Sequence, residues 1–293
     1  MPFIVTDLNS AEQPRFDLHM HSTASDGALS PAELVARAAE ASIRYLALTD
    51  HDTLAGLNEA RVEAVRQGIQ FIPGVELTCR WHKRTLHLLG LGIDPEYEGW
   101  REYEARLQRL REQRAETIAF KLRGKRAPDD ILERARTHAG RGQIGRPHFA
   151  RALLEAGVVS TENEAFDRYL GQGKVGDVKA EWPDVAEAIA IVQASGGKAI
   201  LAHPTKYRMT FSRLRLLLSA LAEAGADGFE IGYPGISQDY IRLLLKQAEV
   251  LDMQVSSGSD FHNPEHHWTG LGRFPRVETS RHLIHQFYTD MPL

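Results

Sequence analysis

The stretch DLHMHSTASDG, Asp17 to Gly27, sets two histidines one residue apart behind an aspartate and adds a second aspartate shortly after them. In an extended strand alternate side chains share a face. Asp17, His19 and His21 would then point one way, with Phe16, Leu18 and Met20 as an apolar backing. Imidazoles and carboxylates gathered on one face are donors that divalent cations accept. A bare His-x-His pair has other uses, so the reading depends on what else the chain sends to the same place.

It sends a good deal. TDHD carries His51 between Asp50 and Asp52, PGVE carries Glu76, TLHLLG carries His87, AHP carries His203, and GSDFH carries Asp260 and His262. With His19, His21 and Asp26 these make nine His, Asp and Glu side chains from successive strand-like runs. Any one of these histidines could instead be a buried residue bonded to a carbonyl. Their recurrence at one edge favours a shared pocket, because clustered buried carboxylates and imidazoles are costly without cations to neutralise them. The set contains no thiolate, which suits Mn, Fe or Zn rather than copper(I) or iron–sulfur chemistry. Cys79, the single cysteine, alternates away from Glu76 and Thr78 and reads as a small core residue. It has no partner for an internal disulfide, which fits a reducing compartment. His82, His138, His266, His267, His282 and His285 lack this context and read as surface or structural.

The elements that would position these residues alternate in type. RFDLHMH, YLALTDHD, IQFIPGVELTC, TLHLLGLGI, GKAILAHP, GFEIGYP and QVSSGSDFH read as strands. Between them lie amphipathic helices such as SPAELVARAAEASI, with Ser30 at the N-cap, Pro31 at N1 and Glu33 at N3. Alternation of this kind predicts an α/β fold, a parallel sheet or barrel, with its active site at the carboxyl edge of the strands. Residues 95–182 break the rhythm: they are charged and helical, and predict a helical insertion between the fourth and fifth strands. That leaves 14–94 and 183–293 to the barrel. The run from Arg101 to Arg126 interleaves Glu with Arg and predicts a solvated helix face.

The 293 residues are 43% hydrophobic and 25% charged, with a formal net charge of −4. A general grip on long duplex nucleic acid needs a basic surface and is disfavoured. A short anionic substrate held by a few placed cations stays open. The first residues do not read as a signal peptide, and no stretch approaches the roughly 18 apolar residues of a membrane span, so a cytoplasmic protein is expected. No membrane or protein partner is implied.

In order, DLHMHSTASDG, TDHD, PGVELT, HLLG, AHP and GSDFH resemble the PHP (polymerase and histidinol phosphatase) family over nearly the whole chain. The resemblance implies a distorted (β/α)7 barrel of the PHP type with an inserted helical subdomain covering the active site. It implies two or three divalent metal ions, manganese foremost, with zinc or iron as alternatives. Carried onto this sequence, it gives a first metal to His19, His21, Glu76 and Asp260. A second goes to Glu76, His87 and His203, with Glu76 bridging, and a third to His51 and His262. Where histidinol phosphatases often place a further histidine, SDG supplies Asp26, a departure that bears on the third site.

GRPHFARALLEAG followed by AFDRYLGQGK resembles the bacterial branch that acts on nucleoside 3′,5′-bisphosphates, relatives of which trim short RNAs from the 5′ end. Those enzymes require a 5′-phosphate and cleave the ester on the 3′ oxygen. The implied activity is hydrolysis of a small nucleotide or a short 5′-phosphorylated oligonucleotide. Arg146, His148 and Lys174 in the insertion, with Lys206 and Arg208 after the fifth strand, are the candidate phosphate binders. Arg146 is the first choice for the 5′-phosphate, since guanidinium binds phosphate bidentately. His203, Asp50 and Asp52 are candidates to protonate the leaving 3′ oxygen, and Asp17 to orient a metal ligand from behind. Three alternatives compete. A histidinol phosphate phosphatase is opposed by the insertion and Asp26, and a polymerase proofreading module by the chain's length. A nucleotide-binding domain without hydrolysis is opposed by the full ligand set.

Overall fold

Strands and helices alternate as the pattern predicts, and the seven strands pair in chain order. The computed structural model describes residues 15–287. Its first half runs β1 (Arg15–Asp17), α1 (Pro31–Glu40), β2 (Ile43–Leu48), α2 (Leu57–Gln67), β3 (Gln70–Trp81) and β4 (Arg84–Leu91). A helical segment follows: α3 (Gly99–Arg123), α4 (Ile131–Ala139), α5 (Arg146–Glu155), α6 (Glu162–Ala165) and a π turn over Phe166–Leu170. The chain then returns to the sheet with α7 (Val185–Ala194), β5 (Lys198–Leu201), α8 (Phe211–Glu223), β6 (Gly228–Gly232), α9 (Gln238–Leu251), β7 (Gln254–Ser257) and α10 (Ile284–Phe287).

Local chemistry fixes the helix ends. Ser30 accepts the Glu33 N–H at 3.3 Å while Glu33 accepts the Ser30 N–H at 2.8 Å, so α1 starts where Ser-Pro-x-Glu predicts. Its Leu34, Val35 and Ala38 are buried against the sheet. Gly68, at φ 65°, closes α2 in the left-handed region that glycine enters at no steric cost.

The sheet is not uniformly parallel. β1–β2–β3 and β5–β6–β7 are parallel, but β4 runs antiparallel to both neighbours. The cause is the link Trp81-His82-Lys83-Arg84: strands joined by two residues can only fold back on each other. The paired ladder is open, yet its edges touch beyond the strand ends. Leu18 N–H donates to Ser257 O at 3.3 Å, Asp260 N–H to His19 O at 2.9 Å and His21 N–H to Phe261 O at 2.9 Å.

Regular strand structure ends at Asp17, so the alternation expected through His21 does not hold. Leu18 packs with Tyr45, Ile72, Leu89, Ile200 and Ile284, whereas Met20 joins the larger cluster that seats the helices on the sheet. Cys79 is buried in that larger cluster, as expected. The helical segment has a core of its own, drawn from residues 115–178 and including Ile118, Ile131, Phe149, Leu153 and Leu170. Helix α3 belongs to both cores: Trp100 and Leu107 pack on the barrel cluster, Ala115 to Leu122 on the second. No helix among the described residues is long and apolar enough to cross a membrane.

Candidate active site

Five of the other eight residues surround Glu76, buried on β3, and the remaining three lie against those five. Glu76 Oε2 lies 3.3 Å from His19 Nε2, 3.2 Å from His21 Nε2 and 3.1 Å from His51 Nδ1. Its Oε1 lies 3.0 Å from His87 Nδ1 and 3.1 Å from His203 Nε2. Asp260 Oδ1 reaches the same His19 and His21 nitrogens at 3.5 and 3.4 Å. Asp26 sits 3.4 Å from His262 Nε2 and 3.9 Å from both His21 Nδ1 and His51 Nε2.

The backbone explains the convergence. His51 bridges in parallel to Glu76, with Glu76 N–H donating to Asp50 O at 3.1 Å and Asp52 N–H to Glu76 O at 2.9 Å. Thr78 pairs with His87, so the antiparallel β4 delivers its histidine from its N-terminal half rather than from a carboxyl end. His203 (φ 31°) and Asp260 (φ 49°) occupy the left-handed region, a strain that the packing around them must hold in place. Gly258 lies where an added Cβ would come within 2.4 Å of His19 Cβ, so only glycine lets β7 approach this closely.

Three groups of donors lie close enough to share an ion: His19, His21 and Glu76; His51, Glu76 and His87; and His21, Asp26, His51 and His262. The first is the expected set, with Asp260 beside it. In the second, His51 stands where His203 was expected, although His203 shares the Glu76 oxygen that faces His87. The third brings Asp26 to His51 and His262.

Burial works against the Glu76 charge, yet His51, His19 and His87 hold its carboxyl well below the usual range. Asp260 is lowered likewise against burial, by Lys206 and His19. Burial pulls His51, His203 and His262 below the ordinary histidine value. His19 resists the same desolvation because Glu230, Glu76 and Asp260 hold it well above. Protonated imidazoles thus balance the carboxylates, a balance that divalent cations also supply. His21 Nδ1, His51 Nδ1, His203 Nδ1 and Glu76 Oε2 are buried without a hydrogen-bond partner, which buried polar atoms seldom are. Unpaired donors in an imidazole–carboxylate set without thiolate fit Mn, Zn or Fe.

One contributor escaped the sequence reading. Glu230, fully buried on β6, lies 3.1 Å from His19 Nδ1 and accepts the His203 N–H at 2.7 Å. Its signal was a carboxylate inside the apolar strand GFEIG. Glu230 meets the His19 ring, while Asp17, expected to orient a ligand, accepts the His19 backbone N–H at 3.3 Å. Asp17 also accepts the N–H groups of Ser259 and Gly272 at 2.8 Å each, pinning the chain beyond β7.

Asp50 and Asp52 need correction as proton donors, because both carboxylates are committed elsewhere. Asp50 accepts the Ser22 N–H at 2.7 Å and the Ser22 and Ser25 hydroxyls at 2.6 Å each, fastening the loop that carries Asp26. Asp52 accepts the Thr78 N–H at 2.5 Å and pairs with Arg111 at 2.6 Å. Arg111, 8% exposed, also corrects the reading of α3 as a wholly solvated face. Of the three donors proposed, only His203 has its ring in the cluster.

The basic residues divide. His148 is buried and caps α5 by accepting the Gly145 N–H on Nδ1 at 2.9 Å, and burial pulls it down to about 4. It is a neutral structural group, which corrects its assignment as a phosphate binder. Lys174 is exposed on a turn and does not line the cleft described next; Lys179 does. Arg146, Lys206 and Arg208 line a cleft of about 770 Å³ together with Arg114, Arg84 and Arg213. Arg146 donates to Leu170 O at 3.0 Å, with Asp177 3.8 Å away. Burial above all, with Arg146 and Arg111 nearby, pulls the Arg114 guanidinium down to about 9. Lys206 pairs with Asp260 and joins this cleft to the cluster around Glu76.

Comparison with known proteins agrees with this arrangement. The model of the PHP domain matches residues 17–156. A 5′-3′ exoribonuclease of Haemophilus influenzae is 43% identical over 88% of this chain and 93% of its own. A 3′,5′-nucleoside bisphosphate phosphatase of Chromobacterium violaceum is 38% identical over 85% of this chain and 87% of its own. A solved structure from C. violaceum, described as an amidohydrolase with bound sulfate and no metal, superposes with a TM-score of 0.87 at 33% identity. It covers 93% of this chain and 95% of that one.

Proposed function

Because the chain belongs to the PHP domain family, we propose that it is a metal-dependent phosphoesterase that removes the 3′-phosphate of nucleoside 3′,5′-bisphosphates. The same centre would trim short 5′-phosphorylated RNA from its 5′ end. The observation that carries the reading is one buried carboxylate, Glu76, that has five imidazole nitrogens within 3.3 Å and lies beside a cleft crowded with guanidinium groups. Divalent cations bound there, manganese foremost, would supply a hydroxide nucleophile near neutral pH and neutralise charge gathering on the phosphoryl oxygens.

The chain's own residues do the rest. His19, His21, Glu76 and Asp260 would hold one ion; Glu76, His87 and His203 with His51 a second; Asp26, His51 and His262 a third. Arg146 and Arg114 would anchor the 5′-phosphate, where their mutual repulsion is relieved by the ligand's charge. Lys206, held by Asp260, would meet the scissile phosphate where cleft and cluster join. The helical segment 95–182 would form the wall that excludes substrates lacking the anchor. It reaches the barrel through Arg111–Asp52 and through Arg151, which donates to Asp26 O at 3.1 Å.

The test is phosphate release by manganese-loaded protein from adenosine 3′,5′-bisphosphate, 3′-AMP, 5′-AMP and histidinol phosphate at equal concentration. A preference for the bisphosphate is expected, lost in Arg146→Ala with manganese content unchanged. Equal turnover of 3′-AMP would overturn the 5′-phosphate anchor. Preference for histidinol phosphate would overturn the substrate class, and no turnover at full metal occupancy would overturn hydrolysis.

A further inference from the structure

Two clefts meet at Phe166 and Lys206, and they differ in chemistry. The basic cleft of about 770 Å³ holds the guanidinium groups and none of the nine cluster residues. The other, about 340 Å³, is walled by Asp26, Asp260 and His262 on the cluster side and opens onto Trp268. Trp268 is 63% exposed, and its indole lies on the His266 ring with centroids 4.4 Å apart and planes 18° from parallel. Thr269 donates to Ser259 O at 2.9 Å, tying this loop to the segment that carries Asp260. Other large apolar side chains are exposed, such as Val65 and Phe120, but among the exposed large apolar residues described, Trp268 alone lines a cleft shared with the cluster.

We propose that Trp268, braced by His266, is a stacking platform for the nucleobase on the 3′ side of the scissile phosphate. The inference rests on the function proposed above and adds a specificity-determining residue to it. Order along the substrate follows from order along the site: the 5′-phosphate lies in the basic cleft and the scissile phosphate at the cluster. The next nucleoside therefore enters the second cleft. Exposed aromatic rings bind bases of any identity by stacking, and a ring already braced in place loses little freedom when it does so. A nucleoside 3′,5′-bisphosphate ends at its 3′-phosphate and places nothing on Trp268. A 5′-phosphorylated oligonucleotide does. Trp268 thus separates the two activities that one metal cluster would perform.

The experiment compares wild type, Trp268→Ala and Trp268→Phe on three substrates under steady-state conditions with manganese: adenosine 3′,5′-bisphosphate, the 5′-phosphorylated dinucleotide pApA, and the same dinucleotide with an abasic second residue. The expected result for Trp268→Ala is a KM for pApA raised about tenfold, with the bisphosphate KM within twofold of wild type. Trp268→Phe should restore most of the loss, and wild type should handle the abasic dinucleotide as Trp268→Ala handles pApA. An equal rise on bisphosphate and dinucleotide would overturn the assignment, since it places the ring against the first nucleoside or in a purely structural role. An unchanged pApA KM would overturn it as well. Wild type inert on both phosphorylated substrates would overturn the function proposed above, and this inference with it.

Discussion

Glu230 is buried, touches two members of the cluster and was absent from the sequence-based ligand set, so replacing it tests the site's architecture directly. As a carboxylate it only accepts: one oxygen takes the His203 N–H at 2.7 Å and the other faces His19 Nδ1 at 3.1 Å. An ion in the cluster would therefore meet His19 with its one proton held on Nδ1 and its Nε2 lone pair turned towards His21 and Glu76. Glu230→Gln preserves size but supplies one acceptor and one donor. If the amide oxygen keeps the His203 N–H, the NH2 group meets His19 Nδ1 and drives the proton to Nε2, the atom needed for metal. If the amide flips, its NH2 opposes the His203 N–H, donor against donor. Either outcome leaves one buried group mismatched, a cost of about 1–3 kcal/mol. Loss of a ligand's outer hydrogen-bond partner lowers metal affinity by about 10–100-fold, which is about 1.4–2.7 kcal/mol. The two estimates agree. The assay is manganese titration calorimetry of metal-free protein, with thermal melts to show that the variant is folded. A manganese Kd within twofold of wild type would refute the tautomer argument.

Two further predictions concern stability. Asp52 is fully buried against Arg111, so Arg111→Met strands its charge and should cost about 3–5 kcal/mol in urea unfolding, most of it recovered by adding Asp52→Asn. A loss below about 1 kcal/mol would mean that Asp52 finds other solvation. His282 accepts the Ile284 N–H on Nδ1 at 3.1 Å, and burial, with His285 nearby, pulls it down to about 3. The native state thus excludes a proton that the unfolded chain takes up near pH 6.5, and stability is lost as pH falls through that window. The advantage of wild type over His282→Asn should shrink by about 2 kcal/mol between pH 6.5 and 5, read from urea midpoints; a constant difference would show that His282 is solvated.

The cluster of His, Asp and Glu residues was legible because its chemistry is local in sequence. Most of these residues follow a strand signal, and strand ends gather at one edge whatever the register, so a shared pocket for His19, Glu76 and His203 could be expected before any contact was known. Roles that depend on a distant partner were not legible. Asp50 and Asp52 sit in the same TDHD motif as His51, and nothing in four residues says that their carboxylates go to Ser22, Ser25 and Arg111. Arg111 and Arg114 hide in a run of alternating charge, and only the docking of α3 across the barrel decides which members of that run are buried. The direction of β4 was available in principle, since Trp81-His82-Lys83-Arg84 leaves room only for a hairpin. Alternation of strand and helix concealed it.

Two cores carry the two parts of the proposed site. The clustered His, Asp and Glu side chains hang from backbone of the barrel, most of them from strands or the segments soon after them, while Arg114, Arg146 and Arg151 come from helices with a separate hydrophobic core. The cores meet through α3, whose Leu107 and Ala115 belong to different ones, and through the Arg111–Asp52 pair between them. A shift of the helical segment would therefore move the proposed phosphate anchors relative to the cluster without disturbing the cluster itself. Hydrolysis of a simple phosphate ester should depend on the barrel alone. Selection for a 5′-phosphate should depend on how rigidly α3 joins the two, because misplacing an anchor by about 1 Å can cost about a hundredfold in rate while the metal chemistry stays intact.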